Sequence, residues 1–210
     1  MIRVLIVDDH TLIREGFKKI LNEEADLKVV KEARTGREAI EFATKEKFDI
    51  ILLDINLPDH SGLDVLSALK QRSLKTPLLV LSMYPEDRFA VRALKAGASG
   101  YITKESAAEE LVKAIRKILA GGKYISPSLA EKLASDLQKN TDKPRYEALS
   151  NREYEVFCSI ASGKTVSEIA EKLSLSVKTI STYRTRILEK MNMKTNAELT
   201  HYAIDNHLVD

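Results

Sequence analysis

The feature that most constrains this chain is a five-fold alternation of apolar strand signals and amphipathic helix signals across its first 120 or so residues. Residues 4–7, 28–33, 49–53, 77–81 and 99–103 read as strands. Residues 12–21, 36–44, 61–70, 85–96 and 106–120 read as helices, because apolar side chains recur there at three- and four-residue spacing. In the first helix that set is Leu12, Ile13, Phe17, Ile20 and Leu21. Gly97 suits the end of the fourth, and Ser106 with Glu109 fits a capping box at the start of the fifth. Strands that are apolar on both faces and separated by helices make a parallel sheet covered on both sides. The expected fold class is therefore α/β, with a five-stranded doubly wound parallel sheet. An open sheet of this kind places its site at the carboxyl ends of the strands.

Chemistry gathers at those ends. Asp8 and Asp9 follow the first strand, Asp54 the third, Ser82 the fourth and Lys104 the fifth. Three carboxylates brought together repel one another and call for a hard, oxygen-liganded cation such as Mg²⁺. An aspartate beside such an ion can take a phosphoryl group, with Lys104 pairing to one phosphate oxygen and Ser82 donating a hydrogen bond to another. Any one acid at a strand end is commonplace; all of these residues in register with four different ends is specific.

Beyond residue 122 the pattern changes. Residues 128–139 read as an amphipathic helix through Leu129, Leu133 and Leu137, and 140–144 as a polar, proline-bearing linker. The expected division is a first domain over 1–122, a linker with a helix over 123–146 and a second domain over 147–210. All signals from Leu149 onward are helical. Ser150 and Glu153 form a capping box signature, Gly163 ends that helix, and residues 165–173 form a short one. Ser174-Leu175-Ser176 is a tight turn before a longer helix whose apolar face holds Val177, Ile180, Ile187 and Met191. That helix carries Lys178, Arg184, Arg186 and Lys190 against one acid, Glu189. A short helix, a three-residue turn and a longer basic helix is the helix-turn-helix pattern, with Lys178, Ser181, Thr182, Arg184 and Thr185 facing outward to read DNA. Spacing alone leaves a plain helical bundle with a solvated polar face equally open.

Two signature sets resemble a known family. Val7-Asp8-Asp9-His10, Leu53-Asp54-Ile55-Asn56-Leu57-Pro58 with Gly62, Ser82, Tyr101 and Lys104 resemble the receiver domain of two-component response regulators, a flavodoxin-like fold. Leu149-Ser150-Asn151-Arg152-Glu153, Gly163-Lys164, Ser167-Glu168-Ile169-Ala170 and Lys178-Thr179-Ile180-Ser181-Thr182-Tyr183 resemble the LuxR-type helix-turn-helix of the NarL/FixJ group. The resemblance implies that Asp54 is the phosphoacceptor, that Asp8, Asp9, Asp54 and the main-chain carbonyl of Asn56 hold Mg²⁺, that Ser82 and Lys104 hold the phosphoryl group, and that Tyr101 is an aromatic switch. It implies DNA contacts from Lys178, Thr179, Ser181, Thr182, Arg184 and Thr185 in a four-helix domain. It implies a sensor histidine kinase as donor, double-stranded DNA as target and a homodimer once phosphorylated. Two departures bear on detail: Glu105 follows Lys104 where many receivers carry proline, and Ser181 and Tyr183 replace commoner residues of the reading helix.

Two other classes fit parts of the chain. A phosphate-handling enzyme also uses a nucleophilic aspartate with Mg²⁺, but Asn56 stands where a second aspartate would serve as acid and base, so no enzymatic activity is expected beyond slow phosphorylation and dephosphorylation of Asp54 itself. A DNA-binding protein with a receiver serving only as a scaffold would not need the intact acidic set. The net charge of +2 decides neither. One cysteine, Cys158, rules out an internal disulfide. Neither a signal peptide nor a bilayer-spanning run is read, which makes the cytoplasm the expected location with no membrane partner.

Overall fold

The computed structural model describes residues 1–127, 129–131, 133 and 144–209, the side chains of Asp87 and Arg88 excepted. The chain divides into two compact units, Met1–Gln138 and Lys139–Asp210.

In the first unit the strands are β1 (Ile2–Val7), β2 (Leu27–Ala33), β3 (Ile50–Asp54), β4 (Leu78–Ser82) and β5 (Gly100–Thr103). They alternate with α1 (Thr11–Asn22), α2 (Gly36–Lys45), α3 (Gly62–Gln71), α4 (Glu86–Lys95) and α5 (Ala107–Leu119). All pairings are parallel and the strand order is β2-β1-β3-β4-β5, as the alternation requires. The order reverses at β1, so the loops after β1 and β3 diverge and leave a crevice between them. Alternation along the strands sends Val4, Ile6, Ile50, Leu52, Leu79, Leu81 and Ile102 to one face, where they form a core with Phe17 and Leu21 of α1 and Leu111, Ala114, Ile115 and Ile118 of α5. Beyond α5 the chain returns to the sheet edge: Tyr124 bridges Gly100 in parallel, and its carbonyl accepts from Tyr101 N at 3.2 Å.

Three sequence expectations for this unit need correction. Leu12 is not in the core but 87% exposed. The buried stripe of α1 is Arg14, Phe17 and Leu21, and at 100° per residue Leu12 points to its opposite side. Ser106 does not form a capping box, because its backbone is helical rather than extended and its hydroxyl bonds Thr103 O at 3.3 Å instead. Asp54 and Ser82 are the last residues of β3 and β4 and do not follow them. Most of the helix expected over 128–139, and the linker stretch 140–143, lie outside the described residues.

The described residues of the second unit form a 3₁₀ turn (Arg145–Ala148) and four helices: α6 (Asn151–Ala161), α7 (Val166–Lys172), α8 (Val177–Met191) and α9 (Asn196–Asp205). The capping box at Ser150 and Glu153 forms as expected, and a second one forms at Thr165 and Glu168. Gly163, with φ of +81°, and Ser174, with φ of +52°, make the reversals after α6 and α7. The core joins Tyr154, Phe157, Ile169, Ile180, Ile187, Met191, Leu199 and Ala203. Val177, expected on this apolar face, is 51% exposed, because it sits at the edge of the stripe in the first turn of α8.

One glycine is indispensable to the crevice. Gly62 N donates to Ile55 O at 2.7 Å, and a Cβ there would stand 2.0 Å from Asp54 O. Gly62→Ala is expected to cost about 3 kcal/mol by overpacking against main chain. Gly16 lies inside α1 with nothing within 4 Å of an added Cβ. Gly16→Ala is expected to gain about 0.5–1 kcal/mol. Urea unfolding of both variants checks the contrast.

Candidate phosphoacceptor pocket and DNA-reading helix

The strand ends bring Asp8, Asp9, Asp54, Ser82 and Lys104 to one edge of the sheet. Asp8 and Asp54 are almost completely buried. Between them lies the Lys104 ammonium, 2.7 Å from Asp8 Oδ2 and 2.6 Å from Asp54 Oδ2. The other Asp54 oxygen, Oδ1, accepts from Asn56 N at 3.2 Å. Asp8 Oδ1 accepts from His10 N at 2.8 Å, and the His10 ring nitrogen Nδ1 stands 2.7 Å from Asp9 Oδ1. Ligand atoms from Asp8, Asp9, His10 and Asp54 all fall within 4.8 Å of one another. Such a donor set, mostly carboxylate oxygen and in net excess over its one lysine, fits a divalent cation.

Burial pushes the Asp54 carboxyl up to about 7; the Lys104 ammonium opposes this and the Asp8 charge adds to it. Burial also works against the charge on Lys104, yet the two carboxylates hold its ammonium above the ordinary lysine range. The pocket therefore stores charge repulsion that a cation relieves.

Ser82 ends β4, the strand that pairs with β3 beside Asp54. Its Oγ accepts from Tyr84 N at 3.0 Å, and the Tyr84 carbonyl in turn accepts from the Tyr101 hydroxyl at 2.8 Å. Tyr101 is 1% exposed, and burial raises its phenol above the usual range, so it stays a neutral donor. Tyr84 also stacks on Phe89 of α4, with ring centroids 4.4 Å apart. The hydroxyl that faces the pocket is thus wired through one loop to the buried tyrosine and to α4.

Arg14 belongs to none of the motifs in the sequence, yet it supports the site. Its guanidinium, nearly inaccessible, donates to Asp8 O at 2.8 Å and to Glu32 at 2.9 Å, so it braces the loop that carries the acids. The available signal was a charged residue in register with Phe17 and Leu21 on a buried helical stripe. A residue in that position must find partners inside.

In the second unit, Lys178, Ser181, Thr182 and Thr185 are exposed on one face of α8. Thr179 is half-buried and shares a 2.8 Å hydroxyl contact with the N-cap Ser176. Arg184 does not face fully outward as expected: it is half-buried, and its Nε donates to Asn196 Oδ1 at 2.6 Å, toward the start of α9. The helix is held in place from behind. Lys190 reaches Glu153 of the α6 capping box at 2.6 Å, and Arg152, paired to Glu155 at 2.7 Å, donates to Leu173 O at the helix-turn-helix turn.

The raised Asp54 group predicts a pH dependence. An acid whose folded value lies above its unfolded one stabilises the fold below about pH 4, and that contribution is lost as pH rises through 7. In chelator at pH 8, Asp54→Asn is therefore expected to be more stable than the unmodified chain, by on the order of 1–3 kcal/mol. The gap should narrow at pH 5, close only below about pH 4, and shrink when divalent cation is added, as read by chemical denaturation.

Comparison with known proteins agrees in both units. Residues 4–116 match the response regulator receiver domain family, and residues 147–203 match the family of bacterial regulatory proteins, luxR family. The response regulator GacA of Pseudomonas aeruginosa is 38% identical over 211 aligned positions that cover 100% of this chain and 99% of GacA. The response regulator UvrY of Escherichia coli K12 is 35% identical, covering 99% of this chain and 96% of UvrY. Among solved structures, RcsB of Salmonella enterica serovar Typhimurium, bound to promoter rprA in the presence of phosphomimetic BeF₃⁻, aligns over 96% of this chain and 98% of RcsB, at 25% identity and a TM-score of 0.63. A receiver domain followed by a LuxR-type helix-turn-helix, with full-length relatives of the same build, places this chain in the response regulator family.

Proposed function

We propose that this chain is a DNA-binding regulator of a two-component system, which accepts a phosphoryl group on Asp54 from a sensor histidine kinase and controls transcription as a dimer on double-stranded DNA. The observation that carries the reading is the buried Asp54 carboxylate held by Lys104 beside Asp8 and Asp9. In transfer, the phosphorus–nitrogen bond of the kinase phosphohistidine breaks and a phosphorus–oxygen bond to Asp54 forms. Mg²⁺, held by Asp9, Asp54 and the Asn56 carbonyl with Asp8 supporting, would offset charge on the transferring group. Lys104 already touches Asp54 Oδ2 and needs little movement to reach a phosphate oxygen. Asn56 offers no carboxylate acid or base, so the phosphorylated form turns over slowly and the chain acts as a switch rather than an enzyme.

Readout runs through Ser82. Turning its hydroxyl to phosphate withdraws the acceptor from Tyr84 N, and the Tyr84 carbonyl is what holds Tyr101. Phosphorylation thus biases a two-state equilibrium of the β4–α4 loop and Tyr101. The receiver would span 1–122 and the DNA-binding domain 147–210, with 123–146 as linker. Lys178, Thr179, Ser181, Thr182, Arg184 and Thr185 would face the major groove, Arg184 after release from Asn196. Structures of two RcsB dimers bound to two parallel DNAs support a dimeric DNA complex by analogy. No helix among the described residues is long and apolar enough to cross a membrane, in keeping with a regulator that works in the cytoplasm.

With acetyl phosphate and Mg²⁺, a phosphate-affinity gel should shift the unmodified chain and leave Asp54→Ala unshifted; an unshifted native chain would overturn the phosphoacceptor role. On an operator obtained by in vitro selection, Thr182→Ala should weaken binding about tenfold. Lys178→Ala should lower the slope of log affinity against log salt by about 1. Unchanged affinity in both variants would mean that another helix reads the DNA.

A further inference from the structure

Charge is spread unevenly over the first unit. Residues 65–85, 89–104 and 111–130 contain no aspartate or glutamate. These stretches supply the basic side chains at the amino ends of β4 and β5, the edge of the sheet opposite the acidic pocket. There Leu78 O accepts from Ser99 N at 2.8 Å, and Ser99 O accepts from Tyr124 N at 3.0 Å. This row of bonds brings the segment before β4, which carries Lys75, to the same edge as Lys123. Lys70, at the end of α3, lays its stem against Gly97, and Lys123 Nζ reaches Ala98 O at 3.5 Å. Arg72 follows α3. Lys117, in the last turn of α5, stands over the Tyr124 ring, 5.6 Å from its centroid. Among the described residues, none of these five basic groups is paired with a carboxylate. The neighbouring Arg116, in contrast, is taken up by Glu24 and Asp26.

Helix dipoles account for part of this pattern. The carbonyl end of a helix favours a basic residue in its last turn, which covers Lys70 and Lys117. Lys75 and Lys123 lie outside the helices. Burial, and then repulsion from Lys123, holds the Lys70 ammonium below the ordinary lysine range. Like charges gathered with no acid between them are relieved by an anion from outside. We propose that this basic edge, formed by Lys70, Arg72, Lys75, Lys117 and Lys123, is a second nucleic-acid contact, which takes the phosphate backbone of duplex DNA beside the operator. The inference rests on the proposed DNA-binding role of the chain. The contact reads no sequence, because ammonium and guanidinium groups spread over an exposed edge meet phosphate oxygens rather than base edges. It becomes intramolecular once α8 is bound, so a weak attraction suffices. The chain from Lys123 to Arg145 spans at most about 75 Å, roughly two turns of duplex, which limits how far from the operator the contact lies.

The test uses the full chain and two duplexes: the selected operator alone, and the same operator with about 20 base pairs of unrelated sequence on each side. Arg72, Lys75, Lys117 and Lys123 are exposed and are changed together to Gln; Lys70 is kept, because its stem packs against Gly97. The unsubstituted chain is expected to bind the flanked duplex about tenfold more tightly than the bare one, with a slope of log affinity against log salt steeper by about 3. The Gln set should lose both differences while holding the bare operator within about twofold. A set that keeps the charge, Arg72→Lys with Lys75→Arg, Lys117→Arg and Lys123→Arg, should retain both. If the Gln set no longer accepts phosphate from acetyl phosphate, it is misfolded, and Lys75→Gln and Lys123→Gln alone, each lowering the flanked slope by about 0.9, carry the test. Equal affinity of the unsubstituted chain for the two duplexes, a loss in the Gln set of the same size on both, or a loss in the charge-keeping set would overturn the inference and leave the operator contact of α8 standing. Charge-dependent binding to phosphatidylglycerol vesicles, with the two duplexes bound alike, would also overturn it, since the edge would then serve an anionic lipid surface. Failure of the unsubstituted chain to bind either duplex would overturn both the inference and the DNA-binding reading.

Discussion

Two buried carboxylates and one buried ammonium share the crevice where the strand order reverses, and Lys104 reaches both Asp8 and Asp54 within 2.7 Å. An arrangement of this kind is costly to bury and costly to break. Removing the lysine would leave like charges facing each other, and removing one acid would relieve repulsion. The receiver is therefore built around an electrostatic imbalance. A cation is the chemical species that relieves it. Much else in the unit serves to hold these groups close: the parallel sheet that aligns their strand ends, Gly62 pressed against the Asp54 carbonyl, and Arg14 bracing the Asp8 carbonyl from inside α1.

The output side is built differently. It rests on hydrogen bonds that have alternatives. Ser82 Oγ has a partner in Tyr84 N, and Tyr101 has one in Tyr84 O, so a single loop stores the state of both. Tyr101 has a further role through its backbone, whose N–H holds Tyr124 O in the segment after α5. A change at one hydroxyl therefore has a short, bonded path to the sheet edge from which the chain leaves the receiver.

The second unit rests on caps and buried ion pairs. Short helices are marginal by themselves and gain their stability from packing and satisfied ends. Ser150 with Glu153 and Thr165 with Glu168 close the first turns of α6 and α7. Glu153 serves twice, since the carboxylate that closes the α6 cap also takes Lys190 from α8. Burial works against its charge, but Lys190 and the Ser150 N–H hold its carboxyl below the usual range. That shared carboxylate ties α8 to the start of α6, while the buried stripe of Ile180, Ile187 and Met191 decides which side chains of α8 face outward.

Alternating apolar periods by themselves determined the five-stranded parallel sheet, because a strand buried on both faces and followed by a helix has few ways to pack. They also determined that Asp8, Asp9, Asp54, Ser82 and Lys104 share one edge, since in a parallel sheet all carboxyl ends point the same way. Capping signals such as Ser150 with Glu153 were legible because they depend on residues three apart. Tertiary structure decided what depends on residues distant in sequence. It set which acid oxygens Lys104 takes and turned Arg14 inward and Leu12 outward. It also drew Arg184 to Asn196 and placed the His10 ring against Asp9. Local pattern fixes the direction in which a side chain leaves the backbone; the partner it finds there is supplied by another element, and only the folded chain brings the two together.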